Sequence, residues 1–340
     1  MSEPLRGQFV ARVDANVSLC REHYRLVLSL PAFPETEPGQ FVQVSCRDLG
    51  ADAFVERELE WPLLERLARR DNELTSPAAF LRRPFSLAGR RDFADRIELD
   101  LIHRVVGVGT DWLSRLKPGD SVYLLGPLGN RFRLPEPHET ALLVGGGVGI
   151  PPMLYLAEKL AGRSAVAFCG ALTRDLLPLK LMDGVTSSHD DATPQHVVEE
   201  FATHGIPSVI TTDDGTFGFR GFVTQAMESF LESGQWSVVS GQQFPNAPLD
   251  SIRTNHRPLT ADHSFVLYTC GPEPMMKRVA DIAAARGIPC QIAVERAMAC
   301  GMGTCQSCCI RLKDAASPQG WRYRLACTDG PVFAGNDLLW

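Results

Sequence analysis

Hydrophobic and polar positions alternate along several short segments in the first part of the chain. Leu26, Leu28 and Leu30 share one face of segment 24–30, and segment 97–105 alternates in the same way. A period of two is typical of β-strands with one buried face. Because Pro-Gly turns separate these segments, the pattern predicts a small antiparallel β-barrel. The shorter predicted strands are 9–13, 41–45 and 121–125.

A different pattern begins at residue 141, where an apolar run leads into a glycine-rich loop. Residues 141–144 are continuously apolar, as in a strand buried on both faces. A helix is predicted from about residue 150 to residue 160, because proline suits the first helical turn. This alternation predicts an open parallel sheet. Its further strands are 165–168, 209–212 and 265–269, and its further helices are 224–231 and 274–286.

The glycine loop at 145–149 is suited to a dinucleotide, since glycines between a strand and a helix let phosphates approach the backbone. Its spacing differs from G-x-G-x-x-G, so the loop alone does not identify an NAD site. Ligands of parallel sheets bind at the C-terminal ends of the strands. Two predicted turns lie at such ends, residues 212–216 and 270–272. For Cys270, the alternative is a small buried residue without a chemical role.

Near the C-terminus, Cys300, Cys305 and Cys308 have the spacing C-x4-C-x2-C, and Cys327 follows them. This is the spacing of plant-type [2Fe–2S] sites, in which four thiolates hold two irons. Two glycines between the first two cysteines allow the backbone to wrap closely around such a centre. The cysteines therefore predict a protein that carries single electrons.

A structural zinc site or a disulfide knot is the alternative for these cysteines. Zinc sites usually combine two C-x2-C knuckles, or one knuckle with histidines. Here the downstream partner is a lone cysteine, and no histidine follows Cys300. Cys309 is a surplus thiol, which we expect to pack as a small apolar group. The remaining cysteines are scattered, which fits a metal site better than the disulfide framework of a secreted protein.

Length and composition exclude several classes of function. The chain has 340 residues, 44% of them hydrophobic, and its mean hydropathy is −0.06. A net charge of −6 and the lack of a long basic run argue against a nucleic-acid partner. No apolar run reaches the roughly 20 residues of a membrane span. Because the N-terminus also lacks the apolar core of a signal peptide, we expect a cytoplasmic protein.

Two stretches interrupt the periodic pattern. Residues 47–80 are charged and poorly periodic, and residues 234–263 are rich in Gln, Asn, Pro and Ser. We interpret both stretches as insertions. The length of the chain suggests roughly two or three domains. We place the barrel in residues 1–137, the α/β region in 138–290 and the cysteine-rich region in 291–340.

Arg83, Pro84, Phe85 and Ser86 form a candidate binding segment within the predicted barrel. An edge strand that carries a proline is the structural alternative. In a binding role, Arg83 would meet a phosphate, while Phe85 and Ser86 would flank a flavin ring. Downstream, residues 107–110 precede a predicted helix at 111–116 and offer backbone donors to an anion.

Taken in order, these motifs resemble those of ferredoxin-reductase-like flavoproteins and, among them, the electron-transfer subunits of NAD-dependent dihydroorotate dehydrogenases. The resemblance covers most of the chain outside the two insertions. The insertions depart from the family pattern, and Phe85 is bulkier than the aliphatic residue often found there. The matching stretches are 83–86, 107–110, 126–130, 145–152, 214–218, 221–224, 270–272, 300–308 with Cys327, and 329–333.

The resemblance implies an FAD-binding barrel, an NAD-binding α/β domain and a [2Fe–2S] domain. The implied FAD site comprises Arg83, Pro84, Phe85, Ser86, Leu101, Ile102, His103, Gly109 and Thr110. The implied NAD site comprises Gly146, Gly147 and Gly149, with Cys270 as the catalytic residue beside the nicotinamide. The implied cluster ligands are Cys300, Cys305, Cys308 and Cys327.

The resemblance also implies an oxidoreductase subunit of pyrimidine biosynthesis. Dihydroorotate would be oxidised at FMN on a separate catalytic subunit of a heterotetramer, and electrons would pass through the cluster and FAD to NAD. The isolated chain would have NADH diaphorase activity. One alternative is the small subunit of an NAD(P)H–ferredoxin oxidoreductase or sulfide dehydrogenase, whose relatives often carry aspartate where this chain has Cys300. The other alternative is a redox sensor without enzymatic activity.

Overall fold

The computed structural model describes residues 6–48, 79–184, 189, 192–233, 238–239, 256–257 and 264–340. Most of the two predicted insertions, 47–80 and 234–263, lies outside these residues. None of the helices in the described part of the chain combines the length and apolarity that a membrane crossing needs.

Six antiparallel strands close into the predicted barrel, in the order β1-β2-β5-β4-β3-β6. All five strands predicted in this region are present, and a short helix, α1 (Val108–Ser114), lies between the last two strands of the barrel. The strands are β1 (Gly7–Cys20), β2 (His23–Leu30), β3 (Phe41–Ser45), β4 (Arg83–Asp92), β5 (Ile97–Arg104) and β6 (Ser121–Leu128).

The predicted open sheet follows, with seven strands in the order β10-β9-β8-β7-β13-β14-β17. Its neighbours pair in parallel, except that the last strand runs antiparallel to β14. The strands of this sheet are β7 (Glu139–Gly146), β8 (Ala165–Ala171), β9 (Ser208–Thr212), β10 (Phe219–Arg220), β13 (Ser264–Cys270), β14 (Cys290–Ala293) and β17 (Val332–Ala334).

Helices alternate with the strands of the open sheet, as the apolar pattern predicts. They are α2 (Ile150–Lys159), α3 (Glu199–Ala202), α4 (Val223–Ser233) and α5 (Glu273–Ala285). Two small antiparallel sheets complete the fold. One pairs β11 (Val238–Val239) with β12 (His256–Arg257), and the other, in the order β16-β15-β18, comprises β15 (Cys309–Lys313), β16 (Trp321–Leu325) and β18 (Leu338–Leu339).

The barrel, the open sheet and the C-terminal region share their hydrophobic cores. Tyr155 of α2 packs into the barrel core, and its hydroxyl donates to the Thr36 carbonyl at 2.7 Å. Phe41 of the barrel packs in one cluster with Cys308 and Cys327 of the C-terminal region. The open sheet also takes in β17 from that region. The three parts are therefore held against one another, and their boundaries at 137 and 290 remain a proposal.

Candidate cofactor cavity and cysteine loop

A cavity of about 1220 Å³ lies where the barrel, the open sheet and the C-terminal region meet. Seventeen site residues are predicted from the sequence. Those in the barrel and the sheet that line the cavity are Arg83, Pro84, Phe85, Ser86, Ile102, His103, Gly109, Thr110, Gly146, Gly147 and Cys270. The cavity therefore brings together side chains that lie far apart in sequence. Its volume exceeds the roughly 300–1,000 Å³ of most small-ligand sites, as two adjacent ligands would require.

The barrel opens toward the cavity because β4 and β5 separate at one end. Residues 83–86 pair only with β3, and pairing between β4 and β5 begins at Leu87. Pro84, which has no backbone N–H, therefore lies where β4 has a neighbour on one side only. The expectation of an edge strand thus holds for this end of β4 alone. The unpaired end provides one wall of the cavity.

Arg83 places a cation in this wall. Its guanidinium donates to the Leu81 carbonyl at 3.2 Å, and no carboxylate in the described part of the chain forms an ion pair with it. An arginine without an acidic partner retains donors for a phosphate group. Arg83 thus fits the pyrophosphate role that the sequence implies.

His103 of β5 also lines the cavity. It is buried, both ring nitrogens lack a hydrogen-bond partner, and its ring centroid lies 6.1 Å from that of Phe85. Burial, with a smaller contribution from His23, lowers the pKa of His103 to about 4. The imidazole is therefore neutral at pH 7 and can accept or donate one hydrogen bond to a bound group. Leu101, by contrast, lies in the barrel core and does not line the cavity.

The loop before α1 is shaped by Thr110. Its hydroxyl accepts from the backbone N–H groups of Val106 at 2.9 Å and Gly107 at 3.2 Å, and donates to the Gly107 carbonyl at 3.0 Å. A Cβ atom at Gly109 would lie 3.2 Å from that of Cys46, so a glycine lets this loop pack on the barrel. Thr110 therefore holds the loop in shape, and backbone atoms face the cavity.

The glycine loop and the turn at 270–272 lie in contact because β7 and β13 are neighbours, with Gly145 paired to Cys270. A Cβ atom at Gly149 would collide with the carbonyl group of Cys270, so only glycine fits there. Gly149 is buried and does not line the cavity. At Gly147, which has φ +53°, the space around a Cβ atom is open. This is the close strand-to-helix turn that suits a dinucleotide.

Cys270 is a buried thiol at the cavity wall. Burial, followed in size by the nearby Glu295 carboxylate, raises its pKa to about 12. The side chain therefore stays protonated at neutral pH and can pack against a ligand, whereas a nucleophilic thiolate is disfavoured.

Cys300 and Cys305 form one pair in the cysteine loop. The backbone N–H groups of Met302 and Cys305 both donate to the Cys300 sulfur, each at 3.4 Å. Hydrogen bonding, chiefly from Ser307, lowers the pKa of Cys305 to about 6. Such N–H···S contacts are typical of loops that hold iron–sulfur clusters.

Cys308 and Cys327 form the second pair. Both are buried in the same hydrophobic cluster, and the neighbouring Cys308 thiol contributes to the raised pKa of Cys327. Burial is the main reason that the pKa of Cys327 is raised to about 12, and the Cys300 sulfur is close enough to contribute. Cys309, the surplus thiol, begins β15 and is half-buried. The structure thus brings all four predicted ligands together.

Two thiol pairs match the chemistry of a two-iron centre, in which each iron takes two cysteine sulfurs. Within the described part of the chain, no three His, Cys, Asp or Glu side chains surround a single ion position.

Several polar or flexible side chains of the cavity were not predicted from the sequence, among them Asp213, Glu295 and Met298. Asp213 follows β9, and Glu295 and Met298 follow β14. The signal for Asp213 was present, because it belongs to a turn at the end of a predicted strand. Cys290–Ala293, by contrast, was not predicted as a strand of the parallel sheet, so the position of Glu295 at its end could not be inferred.

Comparison with known proteins shows the fold and the C-terminal domain. A solved structure of an NADH-dependent reduced ferredoxin–NADP oxidoreductase has a TM-score of 0.64 at 24% identity and covers 98% of this chain and 91% of its own. A cytochrome P450 reductase from Amycolatopsis has a TM-score of 0.52 at 24% identity, covering 83% of this chain and 66% of its own. The family model of the iron–sulfur cluster binding domain of dihydroorotate dehydrogenase B matches residues 295–339.

A ferredoxin-reductase-like barrel and sheet, followed by an iron–sulfur domain, define the class of this protein. A relative from Geobacillus sp. (strain WCH70), 32% identical over 270 residues, covers 78% of this chain and 84% of its own length. Another, from Caldanaerobacter subterraneus subsp. tengcongensis, is 28% identical over 98% of this chain and all of its own. Both are electron transfer subunits of dihydroorotate dehydrogenase B (NAD(+)). The chain belongs to this family.

Proposed function

We propose that this chain is the oxidoreductase subunit that carries electrons from the oxidation of dihydroorotate to NAD, in pyrimidine biosynthesis. One observation carries the proposal: a single cavity is bounded by the open end of β4, the glycine loop of the sheet and residues 297–298, which lead into the cysteine loop. This arrangement would place sites for two ligands and a metal cluster next to one another. Membership of this family supports dihydroorotate dehydrogenase as the enzyme whose electrons the chain carries.

The residues present fit FAD, NAD and a [2Fe–2S] cluster. The separated ends of β4 and β5 would hold the flavin, with Arg83 at the pyrophosphate and His103 at the ring. The glycine loop and the Cys270 turn would hold the nicotinamide. Leu101 and Gly149, which do not line the cavity, would support the residues that do. The cluster would be held by Cys300, Cys305, Cys308 and Cys327.

The order of transfer follows from electron count. A bound flavin exchanges a hydride with NAD(H) and single electrons with an iron–sulfur cluster, which takes no hydride. The chain contributes position and environment: β4 and the glycine loop line the same cavity, and residues 297–298 lead from it into the cysteine loop. Because Cys270 stays a neutral thiol, it would contact the nicotinamide without adding to the ring as a nucleophile.

The partner is a separate catalytic subunit, which we propose to carry FMN and to assemble with this chain as a heterotetramer. The exposed side of the cysteine loop, with Cys305 and the half-exposed Met302, offers the cluster to such a partner. The cytoplasm, which we infer from the sequence alone, remains the proposed location.

Cys305→Ser is the variant that tests the relay. We expect it to abolish the visible and electron-paramagnetic signature of the cluster, because one of four thiolates is lost, while FAD content and NADH diaphorase activity stay within about twofold of the wild type. Electron transfer from the FMN subunit to NAD should fall at least about 100-fold, since the one-electron step loses its carrier. The measurement is iron, sulfide and FAD content, followed by turnover with and without the catalytic subunit.

Cys309→Ser is the matched control, because Cys309 directly follows the loop at the start of β15 and lies outside the proposed ligand set. It should retain the cluster and full transfer. A Cys305→Ser protein that still delivers electrons from dihydroorotate to NAD at the wild-type rate would refute the order of the relay. Robust oxidation of dihydroorotate by the isolated chain would refute the division of labour between the two subunits.

A further inference from the structure

Gln43 lies between the flavin-binding strand and the cysteine loop. On β3 it is paired with Pro84 of β4 on one side and with Leu125 of β6 on the other. Paired residues project from the same face of a sheet, as do residues two apart on one strand. Phe41 and Pro84 both line the cavity, whereas Val42 and Val44 fill the barrel core. Gln43 therefore points out of the barrel.

The side chain is nevertheless completely buried, with 0% of its surface exposed. The reason is Gly301, the residue after Cys300. A Cβ atom at Gly301 would lie 2.7 Å from Cδ and Oε1 of Gln43 and 3.1 Å from Nε2. The carboxamide thus lies directly against the backbone of the cysteine loop. Only glycine, here with φ +69°, leaves room for it.

Neither polar atom of this carboxamide has a hydrogen-bond partner among the described residues. A buried amide without partners is unfavourable, so a folded protein normally satisfies both its N–H donors and its oxygen. The neighbour of Gly301 is Cys300, and the acceptors that a bound cluster adds beside it are sulfur atoms. An orphaned donor at this position therefore matches a sulfur acceptor that arrives with the cluster.

We propose that the Gln43 side-chain amide donates a hydrogen bond to a sulfur of the [2Fe–2S] cluster and thereby raises its reduction potential. The proposal rests on the function proposed above, since it requires a cluster at these cysteines. Reduction adds negative charge to the cluster, and a donor stabilises the more negative state. Through its backbone on β3, the same residue is also paired with the strand that bounds the flavin site. Gln43 thus lies against both the strand beside the proposed flavin site and the loop of the proposed cluster.

The first experiment uses the holoprotein with ¹⁵N-labelled glutamine side chains. Gln306 is the glutamine within the cysteine loop, so it is replaced by Asn, which tolerates the positive φ of 57° at that position. Iron and acid-labile sulfide are measured first, and the reduced cluster is then examined by pulsed electron paramagnetic resonance. We expect a ¹⁵N hyperfine coupling. A protein without iron and sulfide overturns the proposed function as well, whereas an intact cluster without the coupling overturns this inference alone.

The second experiment replaces the amide by a hydrocarbon of similar size in Gln43→Leu. We expect an assembled cluster whose reduction equilibrium shifts about tenfold toward the oxidised form, equal to about −59 mV for a one-electron centre. The control is Thr211→Val, which removes another buried, unpartnered polar group from β9. A cluster potential equal to that of the control overturns the proposal, and so does a shift confined to the flavin. If the Gln43→Leu protein does not assemble a cluster, the labelling experiment, which retains Gln43, still tests the proposal.

Discussion

At the scale of single residues, the cavity contains a histidine whose charge is set by burial. His103 lies on β5 with 2% of its surface exposed, and its ring is near those of Tyr24 and Phe85. Because its pKa is lowered, His103 stays unprotonated in the folded state below pH 6.5, where the same histidine in the unfolded chain binds a proton. The stability contributed by neutral His103 is thus present above pH 6.5 and is lost as the pH falls toward 4.

His103→Gln therefore changes the pH dependence of stability. Between pH 7 and pH 4, the free energy of unfolding of the flavin-free wild type should fall by about 3 kcal/mol more than that of the variant, since each pKa unit corresponds to about 1.4 kcal/mol. Urea unfolding at a series of pH values gives both slopes. Equal slopes for the two proteins would show that His103 is not held neutral by its surroundings.

At the scale of elements, the C-terminal ends of β7 and β13 bring the glycine loop against the Cys270 turn. The strands are neighbours although more than a hundred residues separate them, and the backbone of the Cys270 turn packs on Gly149. The glycines of this loop thus have two roles. Gly149 permits the contact between two elements, while Gly147 leaves its backbone open to the cavity.

Gly149→Ala tests the contact between these elements. The added methyl group has to displace the backbone of the Cys270 turn, and overpacking of this kind typically costs about 1–3 kcal/mol. We expect a lower free energy of unfolding and a KM for NADH raised several-fold, with FAD content retained. Gly107→Ala is the control for stability, because nothing lies within 4 Å of a Cβ atom there. An unchanged KM for Gly149→Ala would show that the glycine loop does not take part in NAD binding.

At the scale of the whole molecule, the position of the barrel on the open sheet fixes the shape of the cavity. Tyr155 of α2 is fully buried in the barrel core, and its hydroxyl contacts both the carbonyl and the hydroxyl of Thr36, at 2.7 and 2.8 Å. Ring and hydroxyl together join α2 of the open-sheet region to the barrel. Their relative position is therefore held by a satisfied polar contact within a hydrophobic core.

Tyr155→Phe should weaken this junction without altering the fold. Loss of the hydroxyl leaves the buried Thr36 carbonyl unpaired, for which we expect a decrease of about 1–3 kcal/mol in the free energy of unfolding. Tyr323→Phe is the control, since 64% of that side chain is exposed. Denaturant unfolding of the FAD-loaded protein measures both effects. If the two variants are equally stable, the Tyr155 hydroxyl does not join the parts.

The local pattern of the sequence determined the elements and much of the chemistry. Alternation at 24–30 and 97–105 predicted β2 and β5, and the apolar run at 141–144 predicted β7, because period and burial are recorded in neighbouring residues. The spacing of Cys300, Cys305 and Cys308 likewise predicted three cluster ligands within one loop. Such features need no knowledge of the path of the chain.

Only the tertiary structure decided which distant residues meet. It brings Cys327 to Cys308, lays Gln43 against Gly301 and assembles one cavity from the barrel, the sheet and the C-terminal region. It also places Leu101 in the barrel core, although the residue lies between cavity residues in sequence. These outcomes depend on how strands pair and on where β4 and β5 separate. Long-range pairing and packing are set by the whole chain, so no local pattern contains them.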